Sequence, residues 1–460
     1  MTAVGTDVLQ RLDAQGPRYT SYPTADRFNE DFTADDLVRA LRIRAGAHRS
    51  QPLSLYVHVP FCASLCYYCA CNKIITRHHD KATEYLSHLE LEASLVTAEL
   101  GIGRIVSQLH LGGGSPTFLN DRELATLMTM LRRQFTLAPG GEYSIEIDPR
   151  TVDANRLETL AALGFSRLSF GVQDFDPDVQ RAVHRVQPAA QVFDLVRAAR
   201  ALNFDSINVD LIYGLPRQNT TTFARTLEQL VELRPDRIAL YGYAHLPERF
   251  KPQRRIVPQE LPLPETRLAM LAQALSVLRE AGYVHVGMDH FALPDDTLAI
   301  ARRQQRLHRN FQGYSTQPDC DLIALGVSAI GKIGGIYSQN AKTLDDYYGA
   351  LAQGRLPVAR GLVMTEDDQL RRSVIMSLMC RGELDFAAVE RQHGIDFERY
   401  FADELQTLRT LELDGLVRFA PNGGRTLAVT ELGWLLVRAV AMVFDRHLKR
   451  GQRERFSQVA

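Results

Sequence analysis

The sequence lacks the features that would tie the protein to a membrane or to nucleic acid. Its formal net charge is only −1 over 460 residues, so bulk electrostatics give no attraction to anionic lipid or nucleic acid. The longest apolar run, at 432–444, is interrupted by Arg438 and is too short to span a bilayer, so a buried helix is expected there. The first residues contain no basic segment followed by an apolar one, so no secretory signal is expected. These absences predict a cytoplasmic protein without a membrane or nucleic-acid partner.

Cysteine is scarce, but its distribution is uneven. Four of the six cysteines fall within ten residues, at Cys62, Cys66, Cys69 and Cys71. Disulfides are unusual in a reducing cytosol, and closely spaced cysteines there indicate metal or redox chemistry. Cys320 and Cys380 stand alone and are expected to be small buried residues.

The middle of the chain alternates apolar segments of strand length with amphipathic segments of helical length. Strands are predicted at 53–59, 108–111, 143–147, 167–172, 206–212 and 237–243, with 284–288 as a candidate seventh. Helices are predicted at 82–100, 121–135, 153–163, 189–202 and 221–233. This alternation predicts an α/β fold with a parallel sheet, closed or partly closed into a TIM-like barrel of six countable strand–helix units.

The two ends of the chain differ from this pattern. Residues 1–50 are predicted to form an irregular N-terminal arm, rich in Pro, Thr and Tyr, followed by a helix at 35–44. The barrel domain and its following elements take 51–355, and a smaller, mainly helical C-terminal domain takes 362–460. A helix at 366–379, a hairpin at 416–429 and the apolar helix give that domain a winged-helix pattern. Neutral charge and the lack of a basic recognition helix favour a packing role over DNA binding.

The cysteine segment carries the strongest chemical signal. Cys62, Cys66 and Cys69 follow a predicted strand at C-x3-C-x2-C spacing, and thiolates this close can converge on one polynuclear centre. The alternative is a structural zinc site, which usually pairs two cysteines with a second pair, or with histidines, a dozen or more residues away. The sequence has no such second pair, so an iron–sulfur cluster is favoured.

Polar residues recur where predicted strands end. Gly112, Gly113, Gly114 and Ser115 follow the second strand, where glycines let the backbone approach a ligand and expose amide N–H groups to it. Other polar or reactive positions end later strands, at Glu146, Asp148, Gln173, Asp174, Asp210, Tyr243 and His245. One buried carboxylate can be a structural hydrogen-bonding group, but several on successive strands predict a ligand at the top face of the barrel.

The cysteine spacing, with the aromatic Tyr68 before the third cysteine, resembles the radical S-adenosylmethionine superfamily. That resemblance implies a 4Fe-4S cluster held by Cys62, Cys66 and Cys69, with S-adenosylmethionine on the fourth iron. Cys71 would then support the site rather than ligate. In the glycine segment Ser115 stands where the superfamily has an acidic residue.

The resemblance is closer to the oxygen-independent coproporphyrinogen III oxidases (dehydrogenases) and runs over essentially the whole chain. It is carried by segments at 17–24, 71–72, 108–114, 171–175, 210–216, 287–292 and 308–314. It implies oxidative decarboxylation of two propionates of coproporphyrinogen III to vinyl groups, giving protoporphyrinogen IX in haem (porphyrin) biosynthesis. The implied partners are a reduced one-electron donor such as flavodoxin or ferredoxin and an electron acceptor, with the enzyme acting as a monomer.

Two other interpretations remain at this stage. One is a related haem-handling chaperone, which typically lacks the fourth cysteine, the extension to Asn72 and the Tyr-rich arm. The other is a winged-helix regulator with a degenerate barrel. The intact cysteine set and the glycine segment favour the oxidase over both.

The same resemblance implies two S-adenosylmethionine molecules per chain. The first would contact Tyr56, Gly113, Glu146 and Ile330, with Tyr56 and Glu146 also catalytic. The second would contact Tyr68, Gly114, Ser115, Gln173, Arg185, Asp210 and Ala244. By residue type, Glu146 and Asp210 can accept hydrogen bonds from ribose hydroxyls or an amino group, and Arg185 can pair with a carboxylate.

The implied substrate carries four carboxylates, so its pocket should be cationic. The sequence offers six candidates without choosing among them: Arg249, Lys251, Arg254, Arg255, His290 and Arg309. The Tyr-rich arm at 17–24 is expected to cover the barrel mouth, since excluding water protects a reactive radical.

Overall fold

The structure, a computed structural model, describes residues 16–47, 51–421 and 424–448. Its α-helices are α1 (Ala34–Ala47), α2 (Asp80–Leu100), α3 (Asp121–Gln134), α4 (Ala154–Ala162), α5 (Pro177–Ala182), α6 (Ala189–Ala201), α7 (Thr220–Leu233), α8 (Pro264–Glu280), α9 (Thr297–Arg303), α10 (Leu344–Ala352), α11 (Glu366–Arg381), α12 (Phe386–His393), α13 (Phe397–Tyr400), α14 (Ala402–Leu413), α15 (Glu431–Leu435) and α16 (Val437–Met442). Short 3-10 turns lie at Ala25–Arg27, Pro116–Phe118, Pro149–Thr151, Lys251–Arg255 and Pro258–Glu260. No helix within the described residues is long and apolar enough to cross a membrane.

The strands are β1 (Leu53–Val59), β2 (Phe61–Cys62), β3 (Ile74–Ile75), β4 (Arg104–Gly113), β5 (Phe135–Ile147), β6 (Arg167–Gln173), β7 (Ser206–Tyr213), β8 (Arg237–Gly242), β9 (Val284–Gly287), β10 (His290–Ala292), β11 (His308–Asn310), β12 (Gly313–Ser315), β13 (Asp321–Leu325), β14 (Ile330–Ile333), β15 (Ile336–Asn340), β16 (Val358–Val363), β17 (Glu383–Asp385), β18 (Val417–Phe419) and β19 (Thr426–Val429). Twelve of them form one sheet in the order β16-β15-β14-β13-β1-β4-β5-β6-β7-β8-β10-β9. Its seven central strands, from β13 to β8, are parallel. The parallel part is therefore a partial barrel, with antiparallel strands on either side.

The two faces of the parallel strands have opposite chemistry. On one face, side chains such as Leu55, Leu111 and Phe170 are fully buried and belong to the main apolar core, which includes residues of the surrounding helices. On the other face the residues are polar: Glu146 of β5, for example, lies in register with Ser169 of β6, which pairs with Asn208 of β7. Because side chains alternate along a strand, this polar set lines the interior of the partial barrel.

The six predicted strands are all present, in the predicted sequential order, with ends that differ by at most eight residues. The candidate seventh strand exists as β9, but it forms an antiparallel hairpin with β10 at the edge of the sheet. The seventh parallel strand is β13, which pairs with β1. The sequence analysis missed β13 because it is only five residues long and no strand–helix unit leads into it.

The predicted single apolar helix near the C-terminus is wrong. The structure divides it into α15 and α16, because Leu436 between them, at φ −113° and ψ 26°, leaves the helical range. Neither Gly nor Pro marks this break in the sequence. The predicted hairpin is present as β18 and β19, joined by β17, and its turn residues 422–423 lie outside the described residues.

The N-terminal arm is packed into a second apolar core. Tyr19 and Tyr22 are at most 1% exposed and share this core with residues of α11 and of the segments after it. The Tyr19 hydroxyl donates a hydrogen bond to Asp445 at 2.9 Å. Arg18, next to Tyr19, pairs with Asp289 and lies 5.2 Å from the ring centre of Tyr241 on β8. The arm thus connects the C-terminal segments to the polar side of the sheet.

Candidate active site

The cysteine loop lies directly after β1. Cys62 ends β2, which pairs with β3, so the loop is closed at its base by a parallel pair that places Cys62 opposite Ile75. The same loop carries Cys66, Cys69 and Cys71. All six cysteines of the chain lie among the described residues and are free thiols. Strand pairing therefore brings the thiols to the carboxyl edge of the parallel sheet, where barrel sites form.

Three further contacts hold this loop against the segment that follows α5. The Tyr67 amide donates to the carbonyl of Val183 at 2.9 Å, and the ring of Tyr67 stacks on His184 with a 5.0 Å centroid separation. His184 Nδ1 lies 2.7 Å from the carbonyl of Leu65. The loop is thus fixed by backbone and ring contacts before any ligand is bound.

Two guanidinium groups face Cys66. Arg185 Nη1 and Arg150 Nη2 lie 3.5 Å and 3.6 Å from its sulfur. Both arginines also bind Asp148, at 3.3 Å and 2.7 Å. Burial alone would raise the pKa of Asp148, but the charge of Arg185 and the contacts of Arg150 hold that pKa below its ordinary value. Thiols grouped in one loop beside two guanidiniums fit an iron–sulfur cluster, which is held by cysteine thiolates.

The four clustered thiols are not equivalent. Burial raises the pKa of Cys62 to about 12. A hydrogen bond from the Cys71 side chain lowers the pKa of Cys69 to about 6, with further help from Lys73, and keeps the Cys71 thiol protonated. The described residues contain no group of three His, Cys, Asp or Glu side chains placed to hold a single metal ion. A polynuclear cluster does not need such a group, because it offers each cysteine a separate iron.

The glycine segment lies against the strand that leads into the cysteine loop. The Gly114 amide donates to Val59 at 2.9 Å, the Ser115 amide to Phe61 at 2.9 Å, and the Gly113 amide to Glu146 Oε2 at 3.1 Å. The expectation that these amides are exposed to a ligand is therefore wrong. Glycine is needed for close approach instead, since a Cβ on Gly114 would lie 2.6 Å from the carbonyl oxygen of Pro60.

This contact predicts that Gly114→Ala displaces the cysteine loop. We expect the variant to lose about 1–3 kcal/mol of stability and to retain less iron per chain after reconstitution, because the methyl group would push Pro60 and Phe61 away. Iron content and thermal melting measure both effects. Gly349→Ala, whose Cβ would meet nothing within 4 Å, is the matched control. Iron content equal in the two variants would contradict the prediction.

Glu146 and Tyr56 share a layer of the polar sheet face with two histidines. Glu146 Oε1 lies 3.4 Å from His110 Nε2, and the ring of Tyr56 stacks on His110 at 5.9 Å. The Tyr56 hydroxyl is 3.1 Å from His58 Nδ1, whose other nitrogen is 3.0 Å from the carbonyl of Asn72. Both histidines were missed from the sequence. Their place at alternate strand positions beside Tyr56 was the available signal.

Ile330 begins β14, which pairs antiparallel with β13. Since Leu322 lies opposite Lys332, and Ala324 of β13 lies opposite Tyr56, the register puts Ile330 in the same row as Tyr56. Gly113, Glu146 and Tyr56 are thus close to one another, and Ile330 lies along the same row of the sheet.

The remaining predicted contacts converge on the other side of the cysteine loop. Arg185 also donates to the carbonyl of Gly171, close to Gln173, which ends β6 at φ 71°. Gln253 links two other predicted site residues, Tyr68 and Ala244. Its Nε2 donates to the carbonyl of Tyr68 at 2.9 Å and to that of Ala244 at 3.2 Å. Gln253 is 2% exposed and was missed, because a lone glutamine in a loop carries no sequence signal.

Ser115 and Asp210 complete this second set. Ser115 is buried, with its hydroxyl 3.2 Å from that of Thr117. Asp210 accepts hydrogen bonds from Asn208 at 2.8 Å and Ser169 at 3.3 Å. Burial, with the charge of Glu146 as the next cause, raises the pKa of Asp210 to about 7.

Together with the contact to S-adenosylmethionine predicted from the sequence, that pKa gives a pH dependence to test. The ionised Asp210 carboxylate is the better acceptor for hydroxyl groups, so with that contact affinity for S-adenosylmethionine should increase as the pH rises through about 7. Between about pH 6 and about pH 8 the ionised fraction grows up to about tenfold, which sets the upper limit of the effect. Titration calorimetry at a series of pH values measures it. Asp210→Asn should remove the dependence, and an unchanged slope in that variant would exclude Asp210 as its source.

Comparisons with known proteins are consistent with this geometry. Residues 56–230 match the Radical SAM superfamily, and 364–436 match the HemN C-terminal domain. The chain is 49% identical over 456 residues to the oxygen-independent coproporphyrinogen III oxidase of Pseudomonas aeruginosa, covering 98% of each protein. It is 47% identical to the Escherichia coli K12 oxidase, covering 98% of this chain and 97% of that one. The solved coproporphyrinogen III oxidase (HemN) from Escherichia coli, titled a radical SAM enzyme, matches with a TM-score of 0.89 at 47% identity, covering 94% of this chain and 98% of that one.

Proposed function

Because the chain belongs to the oxygen-independent coproporphyrinogen III oxidases of the radical S-adenosylmethionine superfamily, we propose that it makes protoporphyrinogen IX for haem biosynthesis. In this reaction two propionates of coproporphyrinogen III become vinyl groups without molecular oxygen. One observation carries the proposal: the free thiols of Cys62, Cys66 and Cys69 stand in one loop beside a polar sheet face, in a chain that matches such oxidases over 98% of its length.

The bound cluster and S-adenosylmethionine would supply one electron and a 5′-deoxyadenosyl radical. The chemistry supplied would be abstraction of a hydrogen atom from the β-carbon of a propionate, and loss of carbon dioxide and one electron from the substrate would then give the vinyl group. The electron leaves to an acceptor. Cys62, Cys66 and Cys69 would hold the cluster, and Cys71 would support Cys69 through its hydrogen bond. Arg185 and Arg150 would place two cationic donors beside the sulfur of Cys66.

We further propose that the chain binds two S-adenosylmethionine molecules. In the first site Glu146 would accept from the amino group or ribose, with Tyr56, Gly113 and Ile330 around it. In the second site Arg185 would pair with the methionine carboxylate and Asp210 would accept from the ribose hydroxyls. Tyr68, Gly114, Ser115, Gln173 and Ala244 would complete that site. The contact between the Gly113 amide and Glu146 supports the first site, and the contact of Arg185 with Cys66 supports the second.

Anaerobic turnover tests the proposed function. The reconstituted enzyme, given reductant, S-adenosylmethionine and coproporphyrinogen III, should form the divinyl product and release carbon dioxide. Cleavage of S-adenosylmethionine without vinyl product would overturn the oxidase activity and favour the haem-handling chaperone. Titration calorimetry in the same preparation counts the cosubstrate, and a ratio of one per chain would exclude the second site.

The proposal places the enzyme in the cytoplasm as a monomer that takes electrons from reduced flavodoxin or ferredoxin. It keeps the division into an arm at 1–50, a barrel domain at 51–355 and a C-terminal domain at 362–460. The arm would close one side of the site, which is supported by the pairing of Arg18 with Asp289 and its approach to Tyr241. Size-exclusion chromatography of the loaded enzyme tests the oligomeric state.

A further inference from the structure

Two polar side chains beside the sheet have buried atoms without partners. Arg309, on β11, is 5% exposed, and its Nη1 finds no hydrogen-bond partner among the residues that the structure describes. The same holds for Nδ1 of His290, on β10. Buried polar atoms are nearly always paired, and an unpaired guanidinium nitrogen is costly, so both atoms indicate a missing ligand.

The surroundings of Arg309 fix its direction. Its Nε donates to the carbonyl of Arg18 at 3.3 Å, and its guanidinium lies 4.7 Å from the ring centre of Tyr314. His290 stands between two rings, with Tyr241 at 6.1 Å and Tyr314 at 5.5 Å, both edge-on. Burial, with the charge of Arg309 as the next cause, lowers the pKa of His290 to about 3, so its imidazole is neutral and carries one N–H donor.

Positive charge exceeds negative charge at this place. Asp289 is the carboxylate of the group, and its pKa is held below the ordinary value, against burial, by the charges of Arg18, Arg438 and Arg309. Asp289 pairs with Arg18. The three guanidiniums, those of Arg18, Arg438 and Arg309, thus outnumber the one carboxylate of this group. An anionic ligand at Arg309 would therefore lower the electrostatic cost of this group.

This group adjoins the proposed cosubstrate site. Tyr241, next to His290, is on β8, and the register places β8 beside β7, which carries Asp210. The other four cationic candidates from the sequence are exposed: Arg249, Lys251, Arg254 and Arg255. Arg309 and His290 are thus the two candidates that are turned toward the interior side of the sheet.

We propose that Arg309 and His290 form a subsite that binds one propionate carboxylate of the tetrapyrrole substrate. Arg309 donates to the carboxylate from Nη1, and the neutral His290 donates from Nδ1. This subsite rests on the proposed function, because the identity of the substrate comes from that function. The same chemistry could serve the methionine carboxylate of S-adenosylmethionine, for which Arg185 is already in place.

Binding of coproporphyrin III, the stable oxidised form of the substrate, tests the subsite in the cluster-loaded enzyme by fluorescence quenching. The tetramethyl ester of the same porphyrin is the comparison, since it has no carboxylates. Arg309→Gln should weaken binding of the free acid about tenfold or more and that of the ester by less than about twofold. Arg197→Gln, which removes an exposed arginine that pairs with Asp194, should change neither.

The outcomes separate the possibilities. Equal weakening of acid and ester would mean that Arg309 only shapes the pocket, and would overturn the subsite. Weaker binding of S-adenosylmethionine with unchanged binding of the porphyrin acid would assign Arg309 to the cosubstrate, and would also overturn it. If Arg309→Gln does not fold, His290→Leu decides, because it must lose discrimination between acid and ester. Failure of the oxidase activity itself would appear separately, as wild-type enzyme that makes no vinyl product.

Discussion

Cys66→Ser is expected to abolish both cluster-bound iron and turnover, whereas Cys71→Ser keeps the cluster. Cys66 is the thiol that two guanidiniums approach, and a serine hydroxyl cannot replace a cysteine thiolate as an iron ligand at neutral pH. Cys71 instead donates a hydrogen bond to Cys69. Iron and sulfide analysis after anaerobic reconstitution, with the visible absorption of the cluster, measures both variants.

The expected loss of cluster iron is large for Cys66→Ser and small for Cys71→Ser. Loss of one of the three proposed ligands should remove the cluster and with it all detectable product, while loss of the Cys71 hydrogen bond should reduce iron content by less than about twofold. Cys320→Ser, which replaces a thiol far along the chain at 320, is the control for thiol loss in general. A Cys71→Ser protein without any cluster would mean that Cys71 is a ligand.

Arg185→Met is expected to have the second largest effect. Arg185 is buried and binds Cys66, Asp148 and the carbonyl of Gly171, so its removal leaves the Asp148 carboxylate with only Arg150. We expect binding of S-adenosylmethionine to weaken about 30-fold or more, equivalent to about 2 kcal/mol. Titration calorimetry with the reconstituted enzyme gives the dissociation constant.

Two further variants show whether the charge or the shape of the Arg185 side chain is responsible for binding S-adenosylmethionine. Arg185→Lys keeps the charge but not the planar fork. It should therefore weaken binding of S-adenosylmethionine less than Arg185→Met does, but by a measurable amount. Arg181→Met removes an exposed arginine that pairs with Asp178 in the same region, and should be neutral within about twofold. If the methionine variants at 185 and 181 behave alike, Arg185 does not bind the cosubstrate.

The sequence predicted the parallel core well because each unit carries its own local signal. Strands β1 and β4 to β8 are separated by amphipathic helices, and that period can be seen in one sequence. Strand β13 has no such signal, because its place beside β1 is decided by pairing across more than two hundred and fifty residues. The break at Leu436 likewise depends on tertiary packing, since no residue there disfavours a helix.

For the site, the sequence indicated the reactive residues better than the residues that hold them. Cysteine spacing predicted the thiols, the ends of predicted strands predicted Glu146 and Asp210, and the family resemblance predicted Arg185. It did not show that the Gly114 amide is used within the chain, because that depends on the approach of β1 to β4. Gln253 and the histidines of the Tyr56 layer carry out positioning through contacts between segments far apart in the sequence, which spacing alone does not reveal.

The central claim is that this chain abstracts a hydrogen atom from a propionate side chain of its substrate. Coproporphyrinogen III deuterated at the propionate β-carbons, turned over anaerobically with the reconstituted enzyme, tests this most directly by mass spectrometry of the 5′-deoxyadenosine formed. We expect deuterium in that product, in step with formation of the vinyl groups. Unlabelled 5′-deoxyadenosine beside vinyl product, or labelled substrate recovered intact while S-adenosylmethionine is cleaved, would contradict the account.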